Sequence, residues 1–313
     1  MIARAGTAAL AGAIVLAPAV LSPVSAVSAV SAVSPPRATA NGKVAFDSNR
    51  GGNFDIWVAN PDGTGQVSLT TNPADDIDPS WSAKGKRIVF TSYRSGSGDI
   101  YVMNADGTGQ AAIVANPAFD GYAAWSPDGA QIAFASTRSG NLDIWTLTLA
   151  TGALTRLTTD AADDFAPAWS PNGTEIAFTS NRNGSSDVFV MAADGSGQRA
   201  VGADPGADGY PAWAPNSARI AFESNRGGSF DVWTMAADGS DLLRLNVLSS
   251  FDGFPAYAPD GTKIVFVSSR SGNRDLWTIN PDGSDVASLL ANPATDELPD
   301  WQPKRTRETG NGA

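Results

Sequence analysis

The stretch WSPDGAQIAFASTRSGNLDIW, residues 125–145, decides the fold because close variants of it recur along the chain. A Ser-Pro-Asp-Gly turn leads into a short β-branched and aromatic run that ends at Ser136, and a second such run begins at Asp143. The unit returns with a period of 44 residues and without insertion, so that six units cover residues 43–306. Their first residues are Lys43, Arg87, Gln131, Glu175, Arg219 and Lys263.

Each unit reads as four short strands separated by turns. Runs such as Val44 to Ser48 and Ile56 to Ala59 have strand composition, and proline and glycine occupy the turns between them. No segment has a helical period. Four strands in a unit, repeated six times, predict an all-β fold: a six-bladed β-propeller with four antiparallel strands per blade.

Aromatic residues recur at three positions of the unit. The fourth position is always phenylalanine, and the fifteenth and thirty-ninth positions together hold all nine tryptophans. The residues at the thirty-ninth position are Trp81, Trp125, Trp169, Trp213, Tyr257 and Trp301. We expect these rings to form the core between neighbouring blades, not a ligand cage.

The phase of the repeat predicts how the ring closes. If the strand with the thirty-ninth position is innermost, the first three strands of the chain lack an inner partner. We expect Leu298 to Gln302 to pair with Val44 to Ser48, so that one blade holds both chain ends and the ring leaves no free edge. The propeller is then predicted to span 43–303, with a disordered tail at 304–313.

Residues 1–40 differ from the rest and have the layout of a secretory signal peptide with a flexible lead. A charged start and an apolar run from Ala5 to Leu21 precede small residues, with several candidate cleavage positions from Ala26 onward. A membrane anchor is the alternative, but the apolar run is at the short limit for a span. We therefore expect export to the periplasm or the extracellular space, with no membrane span after cleavage.

The composition excludes several classes of chemistry. The chain has 313 residues, no cysteine and no histidine, and therefore no thiol nucleophile, no Ser-His-Asp triad and no common zinc site. Its net charge of -11 disfavours nucleic acid and leaves cations, basic proteins or neutral ligands as partners. We expect a monomer without catalytic residues.

The repeats resemble a known family. Trp125-Ser126-Pro127-Asp128-Gly129, followed by Ile132-Ala133-Phe134 and Asp143-Ile144-Trp145, is similar to the WD40-like (PD40) repeats of the TolB C-terminal propeller. The resemblance covers residues 43–306 and implies a propeller used for binding. Similar repeats also occur in oligopeptidases, which add a hydrolase domain, and in lyases that use histidine-liganded metal.

Two charged columns repeat in every blade. An arginine ends the first strand of each unit, and an aspartate begins the second strand across the hairpin, as in Arg50 and Asp55, which we interpret as a structural pair or turn cap. A second aspartate precedes each innermost strand. Its six members are Asp76, Asp120, Asp164, Asp208, Asp252 and Asp296.

Strand polarity places both columns on one face of the propeller. That face is predicted to be acidic near the axis, and Tyr122, Tyr210 and Phe254 stand beside the second aspartate column. We predict that these aromatic residues and the six aspartates bind a protein or peptide, with a glycan as a further candidate. The alternative interpretation is that the aspartates pair with arginine and the rings pack the loops.

Acidic residues near the closing blade, three of which break the repeat, offer a candidate cation site. Asp76, Asp78, Glu297 and Asp300 belong to loops or inner strands near the closing blade, and oxygen ligands suit calcium. Drift within the repeat is the alternative explanation. Two functions remain open: an exported, non-catalytic binding propeller, or a secreted carbohydrate-binding or carbohydrate-active protein that uses paired carboxylates.

Overall fold

The computed structural model describes residues 39–246, 248 and 250–305. These residues form six sheets of four antiparallel strands arranged as a six-bladed propeller, which confirms the predicted fold. They contain no helix, and hence none long and apolar enough to cross a membrane. The predicted signal peptide and the last eight residues lie outside the described part of the chain.

The strands follow the repeat in chain order. Blade 1 begins with β1 (Thr39–Ser48), β2 (Asp55–Ala59) and β3 (Val67–Ser68). Blade 2 consists of β4 (Asp76–Trp81), β5 (Arg87–Ser92), β6 (Asp99–Asn104) and β7 (Ala111–Val114). Blade 3 consists of β8 (Asp120–Trp125), β9 (Gln131–Ser136), β10 (Asp143–Thr148) and β11 (Ala153–Arg156).

The second half of the ring has the same order. Blade 4 consists of β12 (Asp164–Trp169), β13 (Glu175–Ser180), β14 (Asp187–Ala192) and β15 (Arg199–Ala200). Blade 5 consists of β16 (Asp208–Trp213), β17 (Arg219–Ser224), β18 (Asp231–Ala236) and β19 (Leu243–Arg244). Blade 6 consists of β20 (Asp252–Tyr257), β21 (Ile264–Ser268), β22 (Asp275–Ile279) and β23 (Ala287–Ser288), and the last strand is β24 (Asp296–Arg305).

The ring closes as predicted. Strand β24 is the innermost strand of blade 1 and pairs with β1, with Val44 opposite Trp301 and Ser48 opposite Asp296. The pairing runs further than the sequence suggested, since Thr39 is opposite Arg305. The first two residues of the predicted tail therefore belong to the closing strand.

The core lies between the blades. The six phenylalanines of the fourth position are all fully buried, and each is paired across strands with the residue at the fifteenth position, as Phe46 is with Trp57. Each of six hydrophobic clusters joins two neighbouring blades, and one of them packs Trp125 of blade 3 against Val89 and Ile100 of blade 2. Because each blade buries its face on the next, the repeat needs the whole ring for its stability.

Candidate functional site

Every innermost strand carries a β-bulge at the same position of the repeat. In β4 the backbone pairs Ile77 with Thr91 and Ser80 with Val89, so that β4 has one extra residue between the two pairs. The first residue of each bulge has a left-handed backbone conformation, with φ between 48° and 56°, although none is glycine. These six bulge residues are Asp78, Tyr122, Ala166, Tyr210, Phe254 and Leu298.

Neighbouring blades hold several of these bulges in place. A left-handed conformation costs a non-glycine residue free energy, so it persists only where other contacts fix it. The backbone N–H of Tyr210 donates to Thr179 Oγ1 at 3.0 Å, and that of Phe254 donates to Glu223 Oε2 at 3.2 Å. The N–H of Asp78 is bonded in the same way to the carboxylate of Asp47. In each case the acceptor is the fifth residue of a unit in the preceding blade.

Glu223 is the fifth residue of its unit, where most units have a small or apolar residue. Its role as acceptor for the Phe254 N–H explains why an acid is present there. Its carboxylate is buried, and Gly253 leaves the space that it occupies, because a Cβ at Gly253 would collide with Glu223. Burial raises the pKa of Glu223 to about 7, although the hydrogen bond from Phe254 and the charge of Arg274 act in the opposite direction. Burial also raises the pKa of Asp47 well above its usual range, and the nearby charges of Asp78 and Glu297 add to this effect.

The six bulge residues border a cavity of about 1020 Å³ along the axis. Its wall consists of the innermost strands from the bulge to the following turn, and it is lined mainly by tryptophan, proline and alanine. All six residues of the thirty-ninth position line it, and Trp169 among them is only half-buried. The rings therefore pack between blades, as predicted, and they also form part of the cavity wall.

One side of the cavity is acidic. The residue two positions after the bulge residue is alanine in four blades. In the adjacent strands β4 and β24 it is Ser80 and Asp300, and both line the cavity. The carboxylate of Asp300 accepts the backbone N–H of Trp81 at 2.6 Å, and Ser80 also hydrogen-bonds to it. Asp78 belongs to the same side of the wall, and its carboxylate accepts the Thr91 hydroxyl at 3.3 Å.

The environment of this acidic wall favours the neutral carboxyl forms. The pKa of Asp78 is raised to about 7, mainly by desolvation and to a smaller extent by the charge of Glu297. Hydrogen bonds from the Thr91 hydroxyl and the Tyr122 N–H act in the opposite direction. Desolvation likewise raises the pKa of Asp300 to about 6. Near neutral pH these two groups are therefore close to the point where a small change in their surroundings changes their charge.

Three aromatic bulge residues also border the cavity. The ring centroids of Tyr122 and Tyr210 lie 6.3 Å apart, and those of Tyr210 and Phe254 lie 4.5 Å apart, both pairs in edge-on geometry. Desolvation raises the pKa of both tyrosines, so their hydroxyls remain neutral. The three aromatic residues predicted to bind a partner are thus brought together at one cavity, and their contact with a partner remains a prediction.

The six aspartates of the second column do not belong to this cavity. Their side chains are at most 1% exposed, and each forms an ion pair with the repeat arginine, as Asp76 does with Arg94 at 2.8 Å. A buried, paired carboxylate offers little surface to a partner, so partner binding by these residues stays a prediction that this geometry does not support. The residues concerned are Asp76, Asp120, Asp164, Asp208, Asp252 and Asp296.

Each repeat arginine therefore pairs with the aspartate at the start of an innermost strand, as Arg94 does with Asp76. It does not pair with the aspartate that begins the second strand of its own unit. Each arginine also donates from Nε to a serine hydroxyl, as Arg182 does to Ser180 at 2.8 Å, and lies over the Phe178 and Phe189 rings. The other aspartate column is buried too, with Asp55 at 5% exposure as its most exposed member. Neither column forms the acidic surface that strand polarity suggested.

The four acids predicted as a cation site have separate partners. Asp76 pairs with Arg94 and Glu297 with Arg274, while Asp78 and Asp300 have the hydrogen bonds given above. Within the described ranges, no group of three or more acidic residues is arranged to hold a metal ion. A calcium site at the mouth of the channel stays a prediction that this geometry does not support.

Comparison with known proteins gives a family. The TolB β-propeller domain family (PD40) matches residues 22–123, 107–204 and 196–307, which together cover most of the chain. The chain belongs to this family. A comparison with curated protein sequences finds no match.

Solved structures share the fold of this TolB-type propeller at low identity. TolB from Acinetobacter baumannii is 20% identical with a TM-score of 0.76, over 84% of this chain and 67% of that one. A TolB-type protein from Agrobacterium tumefaciens is 21% identical with a TM-score of 0.66, over 85% and 92%. An oligogalacturonate lyase in complex with manganese is 12% identical with a TM-score of 0.54, over 82% and 75%.

Proposed function

We propose that this TolB-type propeller is an exported, non-catalytic binding protein that holds a segment of a partner protein in its axial cavity. The observation that carries the proposal is the cavity itself. Its volume of about 1020 Å³ reaches the upper end of the range of ligand sites. Its rigid tryptophan and proline lining is well suited to a peptide, because such side chains lose little conformational entropy on binding.

The polar groups of the cavity indicate what the segment carries. Asp78 and Asp300 line the cavity together with Tyr122 and Tyr210, and the Tyr122 N–H donates to the Asp78 carboxylate. Acidic groups beside aromatic rings favour a lysine or arginine side chain, which gains both charge and cation–π attraction. A basic residue entering the cavity would also shift both carboxyls towards their charged forms. Membership of the TolB family supports a binding role by analogy.

Photo-crosslinking tests this proposal. A photoreactive phenylalanine analogue at Ala166, on the cavity wall, is compared with the same analogue at Ala200 on an exposed outer strand. In cells, we expect Ala166 to crosslink to a defined partner segment and Ala200 not to do so. Crosslinks to the same partner only from Ala200 would place binding on the outer surface and contradict the proposal.

A blocking variant gives a second test. Ala166→Tyr places in the cavity a residue that the same bulge position already tolerates in Tyr122 and Tyr210. We expect an unchanged circular dichroism spectrum and a loss of partner binding of at least tenfold. Ala200→Tyr, the matched control, is expected to keep full affinity.

A glycan-directed function is the second candidate, and one observation favours it. Asp78 and Asp300 line the same cavity with raised pKa values, which is how a carboxyl group is prepared for general acid catalysis. A polysaccharide screen with the wild type and with Asp78→Asn tests it. Turnover that disappears in the variant would establish the carbohydrate-active alternative.

A further inference from the structure

A second, smaller pocket lies at the turn that joins β4 to β5. Its volume is about 250 Å³, and Trp125 and Leu149 of blade 3 contribute apolar side chains to it. Lys84, Lys86 and Arg87 line it as well, and all three are exposed. Within the part of the chain that the structure describes, none of the three basic side chains forms an ion pair.

This group of basic residues is unusual for the chain. The protein has 21 basic and 32 acidic residues, and most of its arginines are paired with acids. One acid, Asp128, also lines the pocket, but its Oδ1 already accepts the Ser126 hydroxyl at 2.6 Å and the Ala130 N–H at 2.9 Å. The pocket therefore has two more positive charges than negative ones.

Lys84 replaces a residue that stabilises the same turn in other blades. At the position of Lys84, the turns of four other units have Asp128, Asn172, Asn216 and Asp260. Each of these accepts the backbone N–H two residues later, at 2.9 to 3.1 Å. Lysine has no acceptor, so this turn lacks a hydrogen bond that the repeat normally supplies. A local cost at one copy of a repeat is typical of a position used for binding.

We propose that this pocket binds a compact anionic group, a carboxylate or a phosphate, carried on an apolar arm. The two lysines and Arg87 attract the anion, since both side-chain types bind carboxylate and phosphate oxygens. The arm lies against Trp125 and Leu149, which are 9% exposed and half-buried respectively. The small volume limits the arm to about one ring or one aliphatic side chain. This site does not depend on the function proposed for the axial cavity.

Small probes test the site. Phenylacetate, phenyl phosphate, inorganic phosphate and the neutral phenylacetamide are titrated into the wild type, and amide chemical shifts are followed at Lys84, Lys86, Arg87 and Trp125. We expect both phenyl anions to shift these signals in a saturable way and to bind at least tenfold more tightly than phenylacetamide. The ratio of their affinities distinguishes carboxylate from phosphate. Inorganic phosphate that binds as tightly as phenyl phosphate would overturn the apolar arm.

The repeat supplies the matched variant. Lys84→Asn, Lys86→Thr and Arg87→Gln together place in this turn the residues that other blades have at the same positions, so the variant is expected to fold. We expect its affinity for the phenyl anions to fall at least tenfold, whereas Lys84→Arg with Lys86→Arg keeps it. Unchanged binding in the well-folded triple variant, or equal binding of phenylacetamide to the wild type, would overturn the proposal.

Discussion

At the scale of single residues, the bulge position of the innermost strands combines a fixed backbone with variable side chains. All six bulge residues have the same left-handed conformation, yet they range from Ala166 to Tyr210 and Asp78. The backbone conformation is therefore set by the bulge and not by the residue, and the side chain is left to determine the chemistry of the cavity. A conformation that is costly for a side chain persists at every copy because the surrounding contacts fix it.

Ala166→Gly tests the cost of this conformation. Glycine has no Cβ to strain at positive φ, so we expect the variant to be more stable by about 1 kcal/mol, as a rise in the thermal unfolding midpoint. Ala168→Gly, two residues later in the same strand and without positive φ, is the control. There glycine only adds chain entropy to the unfolded state, and a loss of about 0.5 to 1 kcal/mol is expected. Equal effects of the two substitutions would contradict the strain.

The raised pKa of Glu223 predicts that the stability of the protein depends on pH. The pKa of this carboxyl in the folded protein is about 7, above the usual value near 4.5, so the folded state binds the proton more tightly than the unfolded state does. Its contribution to stability is complete below pH 4.5 and is lost as the pH rises through 7. Glu223→Gln removes this dependence, and we expect it to exceed the wild type at pH 8 by on the order of 2 kcal/mol.

The measurement is urea unfolding between pH 4 and pH 8. Glu175→Gln, at a partly exposed surface ion pair, serves as the control. A stability difference between Glu223→Gln and the wild type that stays constant over this range would show that the buried carboxyl does not titrate as described.

At the scale of the strands, the repeated ion pair connects each innermost strand to the hairpin beside it. In blade 4, Asp164 at the start of β12 pairs with Arg182 after β13 at 2.8 Å, with the carboxylate fully buried. Asp164→Asn leaves this guanidinium without its counter-charge, and we expect a loss of about 3 kcal/mol in the free energy of unfolding. Glu175→Gln, at the exposed ion pair with Arg199, is expected to cost less than about 1 kcal/mol. Similar losses for the two variants would argue against a special role of the buried pair.

The strand scale also shows where sequence reasoning reached its limit. The blades and the ring closure follow from columns of apolar and turn residues, which determine burial and register directly. Strand polarity correctly indicates which end of a strand Asp76 occupies, but it does not give the direction of the side chain. The bulge inserts one residue and shifts the in–out alternation, so that Asp78, not Asp76, lines the cavity. The sequence did contain a sign of the bulge, since proline follows five of the six bulge residues and proline within a strand often marks a bulge.

At the scale of the whole molecule, the ring depends on its last strand. Deletion of residues 296–313 removes the inner strand of blade 1 and the partner of Arg50, and it exposes the edge of β1. We expect this variant to lose cooperative thermal unfolding and to aggregate. Deletion of 306–313 leaves β24 intact and is expected to keep the wild-type transition. A cooperative transition in the longer deletion would show that five complete blades are sufficient.

The ion pair between Arg50 and Asp296 joins residues that are 246 positions apart in the chain. During synthesis, β1 is made first and cannot find its partner until all the other blades have left the ribosome. The nascent chain therefore carries an unpaired, aggregation-prone strand edge for nearly the whole time of translation, and contacts of such long sequence separation form slowly. The arrival of the last strand is consequently expected to be a slow step in the formation of the closed ring.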